Sequence, residues 1–215
     1  MMTYYNIHSH FPSHHSDEVT ILNWIIRKKE EEEKGEKKAG FLSVGIHPWY
    51  IEDVAIQIKQ LRDLAALPEV VAIGEAGLDR LIDTHIDIQQ EIFVLQAHLA
   101  EELQKPFIIH CVKAWEELIV VKKQIKPKTA WIIHGFRGKP DLAEQLIHQG
   151  FHLSFGTYFN PGSLQIAYPD HIFAETDDKD SSVRIVYSQM ASVLNITEEE
   201  LGKQIQKNVK ILFSI

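Results

Sequence analysis

The sequence is short of several things, and each shortage excludes something. It has one cysteine, Cys111, among 215 residues, so an internal disulfide framework is ruled out and a reducing, cytoplasmic setting is expected. No run approaches the roughly 18 uninterrupted apolar residues that span a bilayer, and no basic stretch followed by an apolar core opens the chain. Neither a membrane anchor nor a signal peptide is therefore expected. Positive charge is in deficit: 22 Lys and Arg stand against 30 Asp and Glu, a formal charge of -8. Such a balance argues against a broad electrostatic grip on duplex nucleic acid, but it leaves room for a local cationic pocket or a bound metal. The 11 glycines and 8 prolines are scattered, so they form neither an internal linker nor a Gly-rich phosphate loop ahead of a helix. What is present reads as one globular domain, residues 1–215, with 45% hydrophobic and 24% charged residues.

Short β-rich runs alternate with helical patterns. Strands are predicted at 3–7 (TYYNI), 40–46 (GFLSVGI), 70–74 (VVAIG), 107–109 (FII), 130–133 (AWII), 151–155 (FHLSF) and 171–174 (HIFA). These runs are nearly continuously apolar, as in a parallel sheet covered on both faces. Helices are predicted at 54–67, 87–104, 114–125 and 139–150, where apolar residues recur at three- and four-residue spacing. Two more close the chain, the second opened by a Thr197/Glu200 capping box. The segment 16–38 is ambiguous. Its β-branched and aromatic residues favour an eighth strand, followed by a solvated charged connection, RKKEEEEKGEKK (27–38). Strand followed by helix, repeated, makes this an α/β chain.

Twelve histidines are present, and their placement is selective. His8, His10, His47, His110 and His134 fall at or just past predicted strand ends, as do Glu75 and Asp177. In a parallel barrel those ends share one face. Taken singly, each has an ordinary reading: a hydrogen-bonded histidine, a capping acid, or, for Cys111, a small buried side chain. Together, so many imidazoles and carboxylates need partners, and one or two divalent cations would supply them. Imidazole and carboxylate suit zinc, manganese, iron or nickel, whereas a magnesium cage is mostly oxygen. A carboxylate can bridge two metals that hold a hydroxide between them.

Seven motifs carry a family likeness: NIHSH (6–10), SVGIHPW (43–49), AIGEAGLD (72–79), QEIFVLQAHLAEELQKPFIIHC (90–111), IIHGFRG (132–138), FAETD (173–177) and NVKILF (208–213). In this order they resemble the TatD family of metal-dependent hydrolases, within the amidohydrolase-like TIM barrels. The resemblance implies a (β/α)8 barrel, shortened around its second strand, and two divalent metals of unassigned identity (Zn, Mn, Mg, Fe or Ni). It implies that His8, His10, Glu75 and Asp177 hold one metal. Glu75 would bridge to a second, shared with His110 and His134. Glu75 and Asp177 would be the catalytic carboxylates, Asp177 as general base to a bridging hydroxide. His47 would contact substrate or support the ligands, and Gln89, Phe93 and Gln96 would pack and position. The chain departs from the family pattern in four places. Asn6 stands where an acid is usual, HCVKAW replaces the HCR run, TDDKDS replaces TD-x-P, and the stretch between His10 and Gly40 is short.

The activity so implied is TatD-like deoxyribonuclease or phosphodiesterase chemistry on short or single-stranded nucleic acid or a small phosphodiester. Lys113, Arg137 and Lys139 are the candidate phosphate contacts. An amide, lactone or carboxylic ester hydrolase on the same metals, and a non-catalytic metal-stabilised binding protein, are the alternatives. No membrane partner is expected, and the sequence leaves the oligomeric state open.

Overall fold

The computed structural model of the chain describes residues 2–27 and 40–215. The predicted charged connection, from residue 28 onward, lies outside the described residues. Eight strands follow one another: β1 Tyr4–Ser9, β2 Glu18–Ile25, β3 Phe41–Gly45, β4 Val70–Asp79, β5 Phe107–Val112, β6 Trp131–Ile133, β7 Phe151–Phe155 and β8 Ile172–Ala174. Their order in the sheet is their order in the chain. Every pairing with a defined register is parallel, from Tyr4↔Glu18 to Phe155↔Ala174. The ambiguous segment is thus a strand, β2. No helix lies between β1 and β2, which bears out the shortening on that side.

The helices are α1 Val54–Ala65, α2 Ile86–Leu103, α3 Trp115–Ile125, α4 Pro140–His148, α5 Pro161–Ala167, α6 Arg184–Leu194 and α7 Glu198–Phe213. The capping box at Thr197 and Glu200 is present. Helix α5 has no counterpart among the predicted elements. Its seven residues are too few for a helical period to show, although Asn160 caps it and Pro161 opens it. No described helix is long and apolar enough to cross a membrane.

The chain divides into two compact units. One comprises Met1–Leu22 with Ala130–Ile215, and the other Asn23–Thr129. In the first, Trp131, Phe151, Phe155, Phe173 and Tyr187 are fully buried. The Tyr187 hydroxyl accepts from the Tyr5 amide at 3.0 Å and donates to the Tyr5 carbonyl at 3.2 Å, so α6 pins the middle of β1. In the second, three buried glutamines fasten backbone rather than other side chains. Gln96 of α2 accepts from the Ile46 amide (2.7 Å) and donates to the Ile46 carbonyl (3.0 Å). Gln89, seven residues earlier on the same helix face, does the same to Asp79 (2.7 and 2.9 Å). Gln57 of α1 donates to the carbonyls of Ile26 and Tyr50.

Strand β4 runs five residues past its predicted end at 74, so Glu75 lies inside a strand rather than beyond one. Its pairing with β5 shifts register between Ile73 and Ala76, an irregularity of the kind that re-aims a side chain. Close approach of the backbones explains the glycines here. A Cβ on Gly77 would fall 2.0 Å from the His110 carbonyl oxygen, and Gly74, at φ +129°, would place one 2.3 Å from that of Ile108. Gly77→Ala must therefore push β4 and β5 apart. Urea denaturation should show about 3 kcal/mol of lost stability. Gly156→Ala, whose nearest neighbour would lie at 3.9 Å, should stay within about 0.5 kcal/mol of the parent.

Candidate metal centre

Within the first unit the end of β1 is zipped to the chain that leaves β8. The amides of Thr176 and Asp177 donate to the His8 carbonyl at 3.3 and 3.1 Å, and the His10 amide donates to the Asp177 carbonyl at 2.9 Å. His8 lies in β1 and His10 one residue past its end, and their ring centroids are 5.5 Å apart. The zipper sets Asp177 against both: its Oδ1 is 3.6 Å from His8 Nε2 and 3.7 Å from His10 Nε2. Asp177 takes up a left-handed φ of +54° there. His134, one residue past β6, brings its ring centroid to 4.4 Å from that of His8. One ligand atom from each of His8, His134 and Asp177 lies within 4.8 Å of the others. His8 is fully buried.

Two neighbours hold this group. The Asn6 side chain accepts from the Thr176 amide (3.2 Å) and donates to the Thr176 hydroxyl (2.9 Å), which donates on to Ser9 Oγ. Asn6 thus braces the β8 exit, a task that needs both a donor and an acceptor. Glu175, also fully buried, accepts from the Gly135 amide at 2.7 Å and sits 3.4 Å from His134 Nδ1.

The second unit builds its own group around Glu75, which is 3% exposed. Glu75 Oε1 lies 3.1 Å from His47 Nε2 and 3.1 Å from His110 Nδ1. The Asn23 side chain donates to Oε2 at 3.0 Å and accepts from the Glu75 amide at 3.0 Å. His47, Glu75 and His110 also offer ligand atoms within 4.8 Å of one another.

Hydrogen bonding separates the roles of the two histidines. His47 Nδ1 accepts from the Trp49 amide at 3.2 Å, so in the neutral ring the proton is on Nε2, aimed at Glu75. His47 is therefore a donor to Glu75 rather than a ligand. His110 Nε2 faces Asp79 Oδ2 at 3.4 Å. Burial pushes the Asp79 carboxyl up, but the Trp49 indole N–H (2.8 Å), the Leu81 amide and His110 outweigh it and leave the group below its ordinary range. An ionised Asp79 accepts a hydrogen bond from His110 Nε2–H, and in that neutral tautomer the Nδ1 lone pair faces a carboxylate oxygen of Glu75. Two acceptors facing each other repel, and a cation shared between them removes the repulsion. The Asp79–His110 pair has the form of the carboxylate–histidine support common behind metal ligands.

Of the predicted residues, His8, His10, His134 and Asp177 come together in one unit, and His47, Glu75 and His110 in the other. Lys113 is exposed beyond β5, with φ +54°. Arg137 and Lys139 are exposed beyond β6. Cys111 is kept from ionising by burial, which pushes its thiol up. Sequence reasoning gave no role to Asn23, Trp49 or Glu175 and noted Asp79 only as the end of the AIGEAGLD motif. An amide two residues after buried Ile21 on a strand was the available signal for Asn23.

Asp79→Asn would offer His110 an amide donor or a weaker acceptor. Titration with Mn²⁺ should show affinity reduced by about 10- to 100-fold, with Trp49→Phe intermediate. Unchanged affinity in both variants would remove Asp79 from any supporting role.

Three comparisons bear on this arrangement. The family model for TatD-related DNase matches residues 18–214. The chain is 32% identical over 198 residues to an uncharacterized metal-dependent hydrolase, YabD, of Bacillus subtilis, covering 81% of this chain and 78% of that one. It is 29% identical over 211 residues to the 3'-5' ssDNA/RNA exonuclease TatD of Pantoea vagans, covering 84% and 81% respectively. Among solved structures, the TatD homologue YJJV of Escherichia coli superposes with a TM-score of 0.76 at 19% identity, over 92% of this chain and 86% of that one. The likeness establishes the TIM-type (β/α)8 fold.

Proposed function

The chain belongs to the TatD-related DNase family of metal-dependent hydrolases, and on that premise we propose that it hydrolyses phosphodiester bonds in short or single-stranded nucleic acid. His8, His10, His134 and Asp177 in the first unit, and Glu75 and His110 in the second, are the residues that would hold divalent cations. The observation that carries the reading is the donor set: His8, His134 and Asp177 in one unit, and Glu75 with His110 in the other, offer ligand atoms at distances a shared cation would bridge. The exonuclease name of the Pantoea relative supports the choice of bond.

When bound, divalent cations lower the pKa of water and neutralise charge that develops on a phosphoryl group. The chain's own residues do the rest. Asp177, 26% exposed and flanked by two imidazoles, accepts the proton of the attacking water at its carboxylate. His47 and Asn23 hold the Glu75 carboxylate in one orientation, and Asp79 does the same for the His110 ring. Asn6 and Glu175 fix the loops that carry Asp177 and His134.

The test uses single-stranded oligonucleotides, a nitrophenyl phosphodiester and a panel of lactones. Wild-type protein should turn over the first two. Asp177→Asn should lose about 100-fold or more in kcat. Glu75→Gln should lose turnover and retain less metal by elemental analysis, with its melting temperature near that of the parent. Hydrolysis of lactones alone would sink the phosphodiester reading, and wild-type rates in Glu75→Gln would remove its role.

A further inference from the structure

Three loops of the first unit bring together a group that the metal chemistry does not use. Arg137 lies beyond β6, Thr157 and Tyr158 beyond β7, and Lys179 beyond β8. The Lys179 ammonium sits 3.9 Å from the centroid of the Tyr158 ring, and the Arg137 guanidinium carbon 5.7 Å from the same centroid. Lys179 Nζ also donates to Thr157 Oγ1 at 2.9 Å. The Tyr158 ring is 65% exposed. A turn closed by the Lys179 amide on the Thr176 carbonyl (3.1 Å) fixes the backbone beneath Lys179.

The manner in which these cations are held matters. Among the described residues, neither Arg137 nor Lys179 forms an ion pair with a carboxylate. Of the acids flanking Lys179 in the chain, Asp180 faces His14 at 3.6 Å, and Asp178 is exposed. A carboxylate partner would cancel a cation's charge. An aromatic face and a hydroxyl hold it in place and leave the charge available. Two cations gathered this way, in a chain of net charge -8, form a local positive site whose natural complement is an anion. A guanidinium fork beside an ammonium matches phosphate oxygens. Lys179 follows Asp177 by two residues, a span of at most ~7 Å of extended chain, and Arg137 follows His134 by three.

We propose that Arg137 and Lys179, gathered on the Tyr158 ring, bind a phosphate of a polynucleotide strand next to the one that is cleaved. The proposal rests on the phosphodiesterase reading for the cleaved bond and deepens it. The favoured substrate is a strand with at least two phosphates, and a lone diester gains nothing from this site. Lys179 lies in the loop where the chain leaves its family's pattern, and Tyr158 lies in none of the motifs that carry the likeness.

The experiment compares wild type with Lys179→Gln, Arg137→Gln, Tyr158→Leu and Tyr158→Phe on a short oligothymidylate and on bis(p-nitrophenyl) phosphate, which has one phosphate. In the first three variants kcat/KM on the oligonucleotide should fall about tenfold more than on the single-phosphate ester. Tyr158→Phe, which keeps the ring, should behave as wild type. Binding of labelled oligonucleotide, followed by fluorescence anisotropy against salt, should lose about 0.7 of log–log slope for each cation removed. Equal losses on both substrates, or a slope that ignores Lys179, would overturn the site. The two readings fail separately. A wild type that hydrolyses no diester but binds the oligonucleotide with a Lys179-dependent slope removes the hydrolysis and keeps the phosphate site. Cleavage of both substrates with no dependence on Lys179 does the reverse.

Discussion

A buried carboxylate persists only where donors hold it, because an unpaired charge out of water costs several kcal/mol. Glu75 meets that condition from two sides, with His47 on one oxygen and Asn23 on the other. Much of the second unit serves the same end. Gln96 fixes the backbone at Ile46, immediately before His47, and Gln89 fixes it at Asp79, which orients His110. Gly74 and Gly77 let β4 approach β5 closely enough for Glu75 and His110 to face each other. Neutral amides do this work better than charged groups would. They satisfy strand-end backbone without adding a further charge to be compensated.

The first unit solves its version of the problem through backbone. His8, His10 and Asp177 are far apart in the chain, and three amide–carbonyl bonds between the end of β1 and the exit of β8 bring them together. Asn6 adds two side-chain bonds to Thr176 at the same junction. An aspartate there would have only acceptors when ionised. The departure from the family pattern at this position therefore keeps an anchor that uses both ends of an amide. The changed loop after Asp177 supplies Lys179, which the Tyr158 ring and Thr157 hold without neutralising it.

The strands were legible because each is a short apolar run bounded by polar residues, and FHLSF matches β7 residue for residue. The metal candidates were legible because imidazole-bearing motifs recur at strand ends in an order that the family shares. Other features left no such trace. Helix α5 is too short to show a period. The extension of β4 to Asp79 depends on glycines that look like a turn until β5 is placed beside them. Asn23, Trp49 and Glu175 are single residues whose importance comes from what lies opposite, and nothing adjacent in the chain marks them.

The division has a physical basis. Periodicity, capping residues and the kind of side chain at each strand end are local properties, so the sequence alone determined the alternation of strand and helix and the chemistry on offer. Which nitrogen of His47 carries its proton, which oxygen of Glu75 each donor takes, and which ring gathers Arg137 and Lys179 depend on distances between residues remote in the chain. Those distances exist only once parallel strands are in register and the loops beyond them converge, and the tertiary structure alone decided them.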